Sequence, residues 1–416
     1  MKRLLVALLL IAAVLLPAPV QAGVFIEETA AAEWKIWSSG TTTQNLYSIS
    51  MVSANDGWAV GAGGTALHWD GSAWSAFPTG VTSALLSVDM LTSNEGWAVG
   101  EGGILLHWNG IAWKRDTTSD GNGIYNMRAV SVFSPMHAWA VGDWDSRPRA
   151  MHFNGYRWEA WELPQDSIPR SISIIDEEVG YVVGDNGTIL TKQLGDWVGV
   201  ASPTEFHLNA VITNSIMDGW AVGNEGEILH RIFSIWFALE TPTSASLKSI
   251  STTPTSGLWS VGSGGTILRG DSSAWQLVSS PTSANLNAVG MVSDSDGWAV
   301  GDGGIILRYT SQNPVPGLAS LSPAAMPAGA NGGVLVVNGS FFSTNSVVLW
   351  NGEALPTAYI SDLKLAAQVP ASKLAAAGYN TVTVTSPAPG GGSSSSLICE
   401  VLDLPIALFL PLIHLP

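Results

Sequence analysis

Along Leu46-Tyr47-Ser48-Ile49-Ser50-Met51, apolar and polar positions alternate, and Ile49 and Met51 fall on one face. The same pair returns as Val88/Met90, Val130/Val132, Ile172/Ile174 and Val289/Met291. A period of two marks a half-buried strand. Three further strands follow in the same stretch. Asn55-Asp56-Gly57 predicts a hairpin turn, because Asp-Gly accepts the positive φ angles such turns need. Trp58-Ala59-Val60-Gly61 reads as the second strand and residues 65–69, after Ala62-Gly63-Gly64, as the third. Asp70-Gly71-Ser72 turns again, and Trp74 opens a fourth. The 3.6-residue period of a helical solenoid is absent.

The unit recurs. Gly-Trp-Ala-Val-Gly or a close variant stands around Trp58, Trp97, Trp139, Tyr181, Trp220, Trp259 and Trp298, at intervals of 39, 42, 42, 39, 39 and 39 residues. Self-similarity at this period, with four antiparallel strands per repeat, predicts a seven-bladed β-propeller. Six repeats open their fourth strand with Trp74, Trp113, Trp158, Trp197, Trp236 or Trp275. The seventh meets Pro314 and Pro316 instead, while Trp34-Lys35-Ile36-Trp37 precedes the first inner strand at nearly the right offset. Residues 34–39 are therefore expected to complete the seventh blade and close the ring, which removes the open edges that drive aggregation.

Repeats reading Gly-Trp-Ala-Val-Gly-x-x-Gly-x-Ile-Leu-x-Trp-x-Gly-x-x-Trp resemble the propeller of the photosystem II assembly and stability factor family, and bacterial exported repeat proteins, over residues 34–310. The chain departs from that family in carrying a further domain and no thylakoid signature. Asp70-Gly71-x-x-Trp74, repeated at Asn109-Gly110-x-x-Trp113 and Asn154-Gly155-x-x-Trp158, is similar to a shortened sialidase Asp-box (BNR repeat), which implies a structural turn and no activity.

A second all-β region is expected over 315–402. Val334-Leu335-Val336-Val337, Val347-Val348-Leu349-Trp350, Lys364 to Val369, Thr381-Val382-Thr383-Val384 and Leu397 to Leu402 alternate between turn signals, the pattern of a β-sandwich. Ser322-Pro323, Gly339-Ser340-Phe341-Phe342, Trp350-Asn351-Gly352, Val369-Pro370 and Val382-Thr383-Val384 resemble the IPT/TIG immunoglobulin-like domain, which implies a spacer or binding accessory.

The two ends differ from both domains. Lys2-Arg3, the apolar run Leu4 to Leu16 and Val20-Gln21-Ala22 have the layout of a secretory signal peptide over residues 1–22, with the mature chain starting at Gly23. The chain is accordingly expected to be secreted or displayed at the cell surface, without a lipid anchor. Residues 403–416 form an apolar, proline-spaced tail, read as an edge strand or loose end, or else as an anchoring signal through which any membrane association would come.

Charge narrows the partners. The formal net charge is −16, or −18 without Lys2 and Arg3. So acidic a chain, with no basic patch, is expected not to bind nucleic acid, because phosphate contacts need clustered cations. Cys399 is the only cysteine, so no disulfide or thiolate metal site can form, and a buried apolar thiol is the expectation.

No catalytic motif emerges. His68, His107, His152 and His230 occupy matching third-strand positions on different blades, where they cannot converge on a metal. There is no His-Glu-x-x-His, Gly-x-Ser-x-Gly or phosphate-binding loop. Neither a cofactor nor a metal is expected.

Two patterns remain. Four residues after each repeat aromatic stand Ala62, Glu101, Asp143, Asp185, Asn224, Ser263 and Asp302; Glu101, Asp143, Asp185 and Asp302 form an acidic series on one rim, for which the turn preference of Asp, Asn, Gly and Ser is the simpler explanation. Each 42-residue interval carries three extra residues, one set within 114–127 and one within 143–149, in loops that open on the same face. These segments hold Arg115, Asp120, Asn122, Tyr125, Trp144, Asp145, Arg147 and Arg149, rich in the types that carry binding energy; neutral loop drift is the other explanation. The function expected is an exported, non-catalytic propeller binding a protein or glycan. The alternatives are a sialidase-like glycan hydrolase and a structural envelope or adhesin module.

Overall fold

A computed structural model describes residues 32–38, 41–118, 125–164, 167–193, 195–311, 315–386 and 391–403. The leader at 1–22, the tail beyond 403, Asp120 and Asn122 lie outside the described residues.

Residues 33–310 fold as an all-β propeller of seven four-stranded sheets. Blade 1 is typical: Leu46–Ser53 is innermost, followed outward by Asp56–Gly61, Ala66–Trp69 and Trp74–Ala76. Each inner strand packs against the inner strand of the next blade, and that of blade 7, Leu286–Ser293, packs against that of blade 1. Blade 7 takes its outer strand from the other end of the propeller. Glu33–Ser38 runs antiparallel to Ile306–Thr310, with Trp34 opposite Tyr309 and Ile36 opposite Leu307.

The two tryptophan series meet across blade boundaries. The second-strand aromatic of each blade packs edge-on against the outer-strand tryptophan of the following one. Trp58 meets Trp113 with ring centroids 5.2 Å apart, Trp97 meets Trp158 at 4.9 Å, Trp139 meets Trp197 at 5.6 Å and Tyr181 meets Trp236 at 5.6 Å. Trp220 and Trp275 follow at 6.0 Å, and Trp298 closes on Trp74 at 5.3 Å. At the sixth boundary Trp259 meets Trp34 at 5.5 Å, so the N-terminal strand supplies the missing aromatic. Edge-to-face geometry sets the electropositive rim of one ring on the electron-rich face of its neighbour.

The turn after the second strand lies under the linker to the next blade. This is why Gly64 is glycine: its φ is +71°, and an added Cβ would sit 2.0 Å from the Val81 carbonyl oxygen. Gly226 repeats the constraint against Thr243. On the opposite face, the Asp70 carboxylate accepts the Ser72 hydroxyl and the N–H groups of Ser72 and Ala73. Those bonds, the Ser72 hydroxyl first, hold its carboxyl down at about 2. The short Asp-box is here a turn device.

Residues 317–402 form two β-sheets. Gly317–Ser322, Gly333–Ser340, Lys364–Val369 and Thr357–Ser361 make one; Ala325–Pro327, Leu397–Leu402, Gly378–Ser386 and Val347–Trp350 make the body of the other. Leu335, Val337 and Leu365 of the first share a core with Trp350, Val382 and Cys399 of the second. Among the described residues no helix is long and apolar enough to cross a membrane.

Candidate functional site

An inner propeller strand is the edge of its sheet, so half of its N–H groups face away from its own blade and need acceptors. The neighbouring blade supplies them. Ser48 and Ser50 accept the N–H groups of Val88 and Met90 through their hydroxyls. Ser87, Ser131, Ser171, Ser173, Ser249 and Ser251 do the same for their neighbours. Together these strands enclose a central channel with a cavity of about 430 Å³.

In blade 2 the second of these positions is Asp89, which accepts the Val132 N–H at 2.7 Å. Burial pushes its carboxyl up to about 6, against the downward pull of that bond and of Ser50. A folded-state value above the ordinary 3.8 means that the native protein binds the extra proton, so stability falls as pH rises from about 4 to about 6. Asp89→Asn keeps an oxygen for Val132. It is expected to match the parent near pH 4 and to exceed it by about 1–2 kcal/mol above pH 6, the full shift being discounted because Asp89 lines the open channel and is not sealed in the closed core. Urea unfolding at pH 4, 5 and 7.5 measures this; an advantage that does not grow with pH refutes it.

At one end of the channel residues near the start of the inner strands rim the opening. Tyr47, Leu86, Arg128, Arg170, Asn209 and Lys248 line a cavity of about 320 Å³ there, with Asn224 and Ser246. Each position stands fifteen residues before the first residue of its own outer turn, and in four blades the two are bonded. Arg128 donates to Asp143 at 3.0 Å, Arg170 donates to Asp185, Asn209 donates to Asn224 at 2.9 Å and Asn287 donates to Asp302 at 2.8 Å. Lys248 donates to Asn287 at 2.7 Å. Three of the four acidic rim residues thus have inner-strand donors as partners, while Glu101 stands exposed. Burial would raise the Asp302 carboxyl, but Asn287, Asn285 and Lys248 outweigh it and hold it low. The rim presents cations and amides on one arc, Arg128, Arg170 and Asn287 held by acids and Asn209 and Lys248 by the amides of Asn224 and Asn287.

Blade 3 contributes Arg128 to this arc and departs from the other blades. Five blades make the turn after their second strand as a short 3₁₀ turn, such as Ala62–Gly64 or Asp302–Gly304. Blade 3 extends both strands instead, His137–Trp144 and Arg147–Phe153, into a hairpin closed by Asp145 and Ser146 at φ +48° and +62°. The three extra residues become strand, and Trp144 stands opposite Arg147. Trp144 is 43% exposed and its ring lies 6.1 Å from Tyr125. The Arg149 guanidinium is 5.9 Å from the Trp144 ring and 3.6 Å from Glu162. Tyr125 is itself largely buried, and its carbonyl accepts the Gly103 N–H of blade 2. Tyr125, Trp144 and Arg149 therefore gather at one place. Arg115 lies apart, on the exposed outer strand of blade 2.

The four third-strand histidines stay within their own blades. His68 stacks on Trp58, His107 on Trp97, His152 on Trp139 and His230 on Trp220, at 3.8–4.6 Å. Asp56, Glu95 and Asp218 anchor the rings of His68, His107 and His230. They are structural staples, and among the described residues no group of side chains could hold a metal ion.

No family model matches this chain, and no curated protein matches it. Solved structures do. YCF48 from Cyanidioschyzon merolae is 19% identical with a TM-score of 0.55, covering 67% of this chain and 99% of that one. YCF48 bound to D1 peptide is 20% identical, TM-score 0.55, covering 68% and 98%. A catalytically inactive virginiamycin B lyase from Staphylococcus aureus with quinupristin is 14% identical, TM-score 0.54, covering 67% and 99%. At these identities the likeness is one of fold: the chain shares the propeller of these proteins, the YCF48 type included.

Proposed function

We propose that this chain is an exported, non-catalytic propeller that binds a polypeptide segment across the channel mouth, beside the blade 3 hairpin. The observation that carries the reading is the arc of Arg128, Arg170, Asn209 and Lys248 around one cavity. These side chains offer planar and point-charge donors to the carboxylate or carbonyl oxygens of an extended segment. Trp144 and Arg149 add an exposed aromatic and a third guanidinium beside them. That a YCF48 structure holds a peptide supports a protein ligand for this fold. The two-sheet region at 317–402 acts as an IPT/TIG-like spacer or accessory, and residues 1–22 direct export.

The test is the full chain applied in parallel to an array of overlapping peptides from exported proteins and to a glycan array. Peptide binding is expected, and Arg128→Ala/Arg170→Ala or Lys248→Ala should weaken it about tenfold or more, the scale of a hot-spot residue. Binding confined to glycans, or peptide binding indifferent to all three substitutions, overturns the proposal.

A further inference from the structure

The face opposite the channel mouth carries the turns between first and second strands and between third and fourth. In blade 1 these are Ala54-Asn55 and Asp70-Gly71-Ser72, and the third-to-fourth-strand turns of blades 2, 3 and 6 open on Asn109-Gly110, Asn154-Gly155 and Asp271-Ser272; large apolar side chains are exposed at Ile111 in blade 2 and at Met136 and Tyr156 in blade 3. Blade 5 concentrates four such side chains at its two turns. Ile216 and Met217 occupy one; Phe233 and Ile235 occupy the other, and Ile216 and Phe233 are 66% and 64% exposed. The Phe233 N–H donates to the Met217 carbonyl at 3.0 Å, so the two turns form one apolar patch.

The patch is built at a cost to folding. Phe233 has φ +56°, where blades 1 to 3 place Gly71, Gly110 and Gly155 at +90°, +85° and +87°. Positive φ strains a bulky residue. Arg231 holds the backbone there. It is 2% exposed, and its guanidinium donates to the carbonyls of Phe233, Ser215 (3.0 Å) and Ile216 (2.9 Å) while lying 4.5 Å from the Tyr181 ring. A buried cation fixes a strained turn so that large apolar side chains point to water, the reverse of what core packing requires. On the same face of adjoining blade 4, Asp176, Glu177, Glu178 and Asp196 surround Lys192 with negative charge.

We propose that this patch docks a protein segment carrying two or more large aliphatic or aromatic side chains flanked by Lys or Arg. The rigid turns suit a shaped polypeptide better than a fluid bilayer, because preorganisation gains affinity only against a partner of fixed form. The acidic border selects cations and opposes a second copy of this chain, which would bring like charges together.

The experiment selects phage-displayed random 12-residue peptides on the full chain. Selected peptides should combine bulky apolar residues with net positive charge and bind more weakly at 0.5 M than at 0.1 M salt. Ile216→Ser/Phe233→Gly/Ile235→Ser should weaken them at least tenfold without lowering Tm, since glycine relieves the strained φ. Arg128→Ala/Arg170→Ala should leave them unchanged, which separates this surface from the channel mouth. Failure to select any peptide sensitive to the triple variant, or selection of acidic ones, overturns the proposal. So does loss, in that variant, of sedimentation with phosphatidylcholine vesicles or of concentration-dependent dimerisation in place of peptide binding; the first would assign the patch to lipid and the second to a second copy.

Discussion

Deleting residues 32–38 is expected to leave the propeller unfolded or aggregated at temperatures where the full chain is folded, with Tm falling by more than about 15 °C if any transition survives. The strand hydrogen-bonds to Ile306–Thr310 and supplies Trp34, which is buried against Trp259 and Tyr309 at 5.5 and 5.4 Å. It also supplies Trp37, which meets Trp298 edge-on at 5.8 Å and lies under the Arg308 guanidinium at 4.7 Å. Burying a tryptophan removes roughly 150–250 Å² from water, worth about 4–6 kcal/mol at roughly 25 cal/mol per Å². Losing one buried and one partly buried tryptophan, even discounted for a compact unfolded state, reaches the lower part of the ~5–15 kcal/mol that holds a typical domain together. The bare edge of Ile306–Thr310 would then recruit other chains. Thermal melting with light scattering, repeated with the 32–38 peptide added in trans, checks this. A truncated chain that melts like the parent, or one the peptide cannot restore, refutes the strand's role as closure.

What the sequence discloses depends on how local the determinant is. The repeat, its four strands and the propeller follow from spacings within forty residues, so the Gly-Trp-Ala-Val-Gly series suffices. Both halves of the aromatic boundary are visible as series, yet the meeting of Trp58 with Trp113 is not, because it depends on the packing of successive blades. The serine ladder was open to view in the same alternation that marks Ile49 and Met51 as a buried face; the polar positions between them carry the other half of the pattern. Arg128, Arg170, Asn209 and Lys248 are not one residue type, so only the strand register reveals them as one arc. The extra residues at 143–149 show as an insertion, but their conversion into a longer hairpin rests on the positive φ angles of Asp145 and Ser146. In blade 5 the signal was a departure from the template: Ile216-Met217 and Phe233-Ser234-Ile235 stand where other repeats have turn residues, and a search for strands reads through them.

The same aromatic boundary yields the second large effect. Trp298 is fully buried and makes contacts in three directions: edge-on to Trp74 at 5.3 Å and to Trp37 at 5.8 Å, and tilted against Trp69 at 4.7 Å. Arg308, paired with Asp296 at 2.8 Å, lies 4.9 Å from its ring. Trp298→Ala should therefore cost about 3–5 kcal/mol, the range for large aromatics cut from a close-packed core, because rings on three sides cannot all collapse into the space. Trp298→Phe makes the sharper test. The Trp298 indole nitrogen is buried with no oxygen or nitrogen partner, as are those of Trp58, Trp74 and Trp113. Replacing it deletes a donor that has no acceptor, so the only losses are ring area and part of the edge-on contact. The phenylalanine variant should lose less than about 2 kcal/mol, well under half the cost of alanine. Urea unfolding of both variants at pH 7.5 decides it. A phenylalanine variant as unstable as the alanine one would mean that the indole nitrogen has a partner, such as an ordered water, and that the boundary is held by more than ring packing.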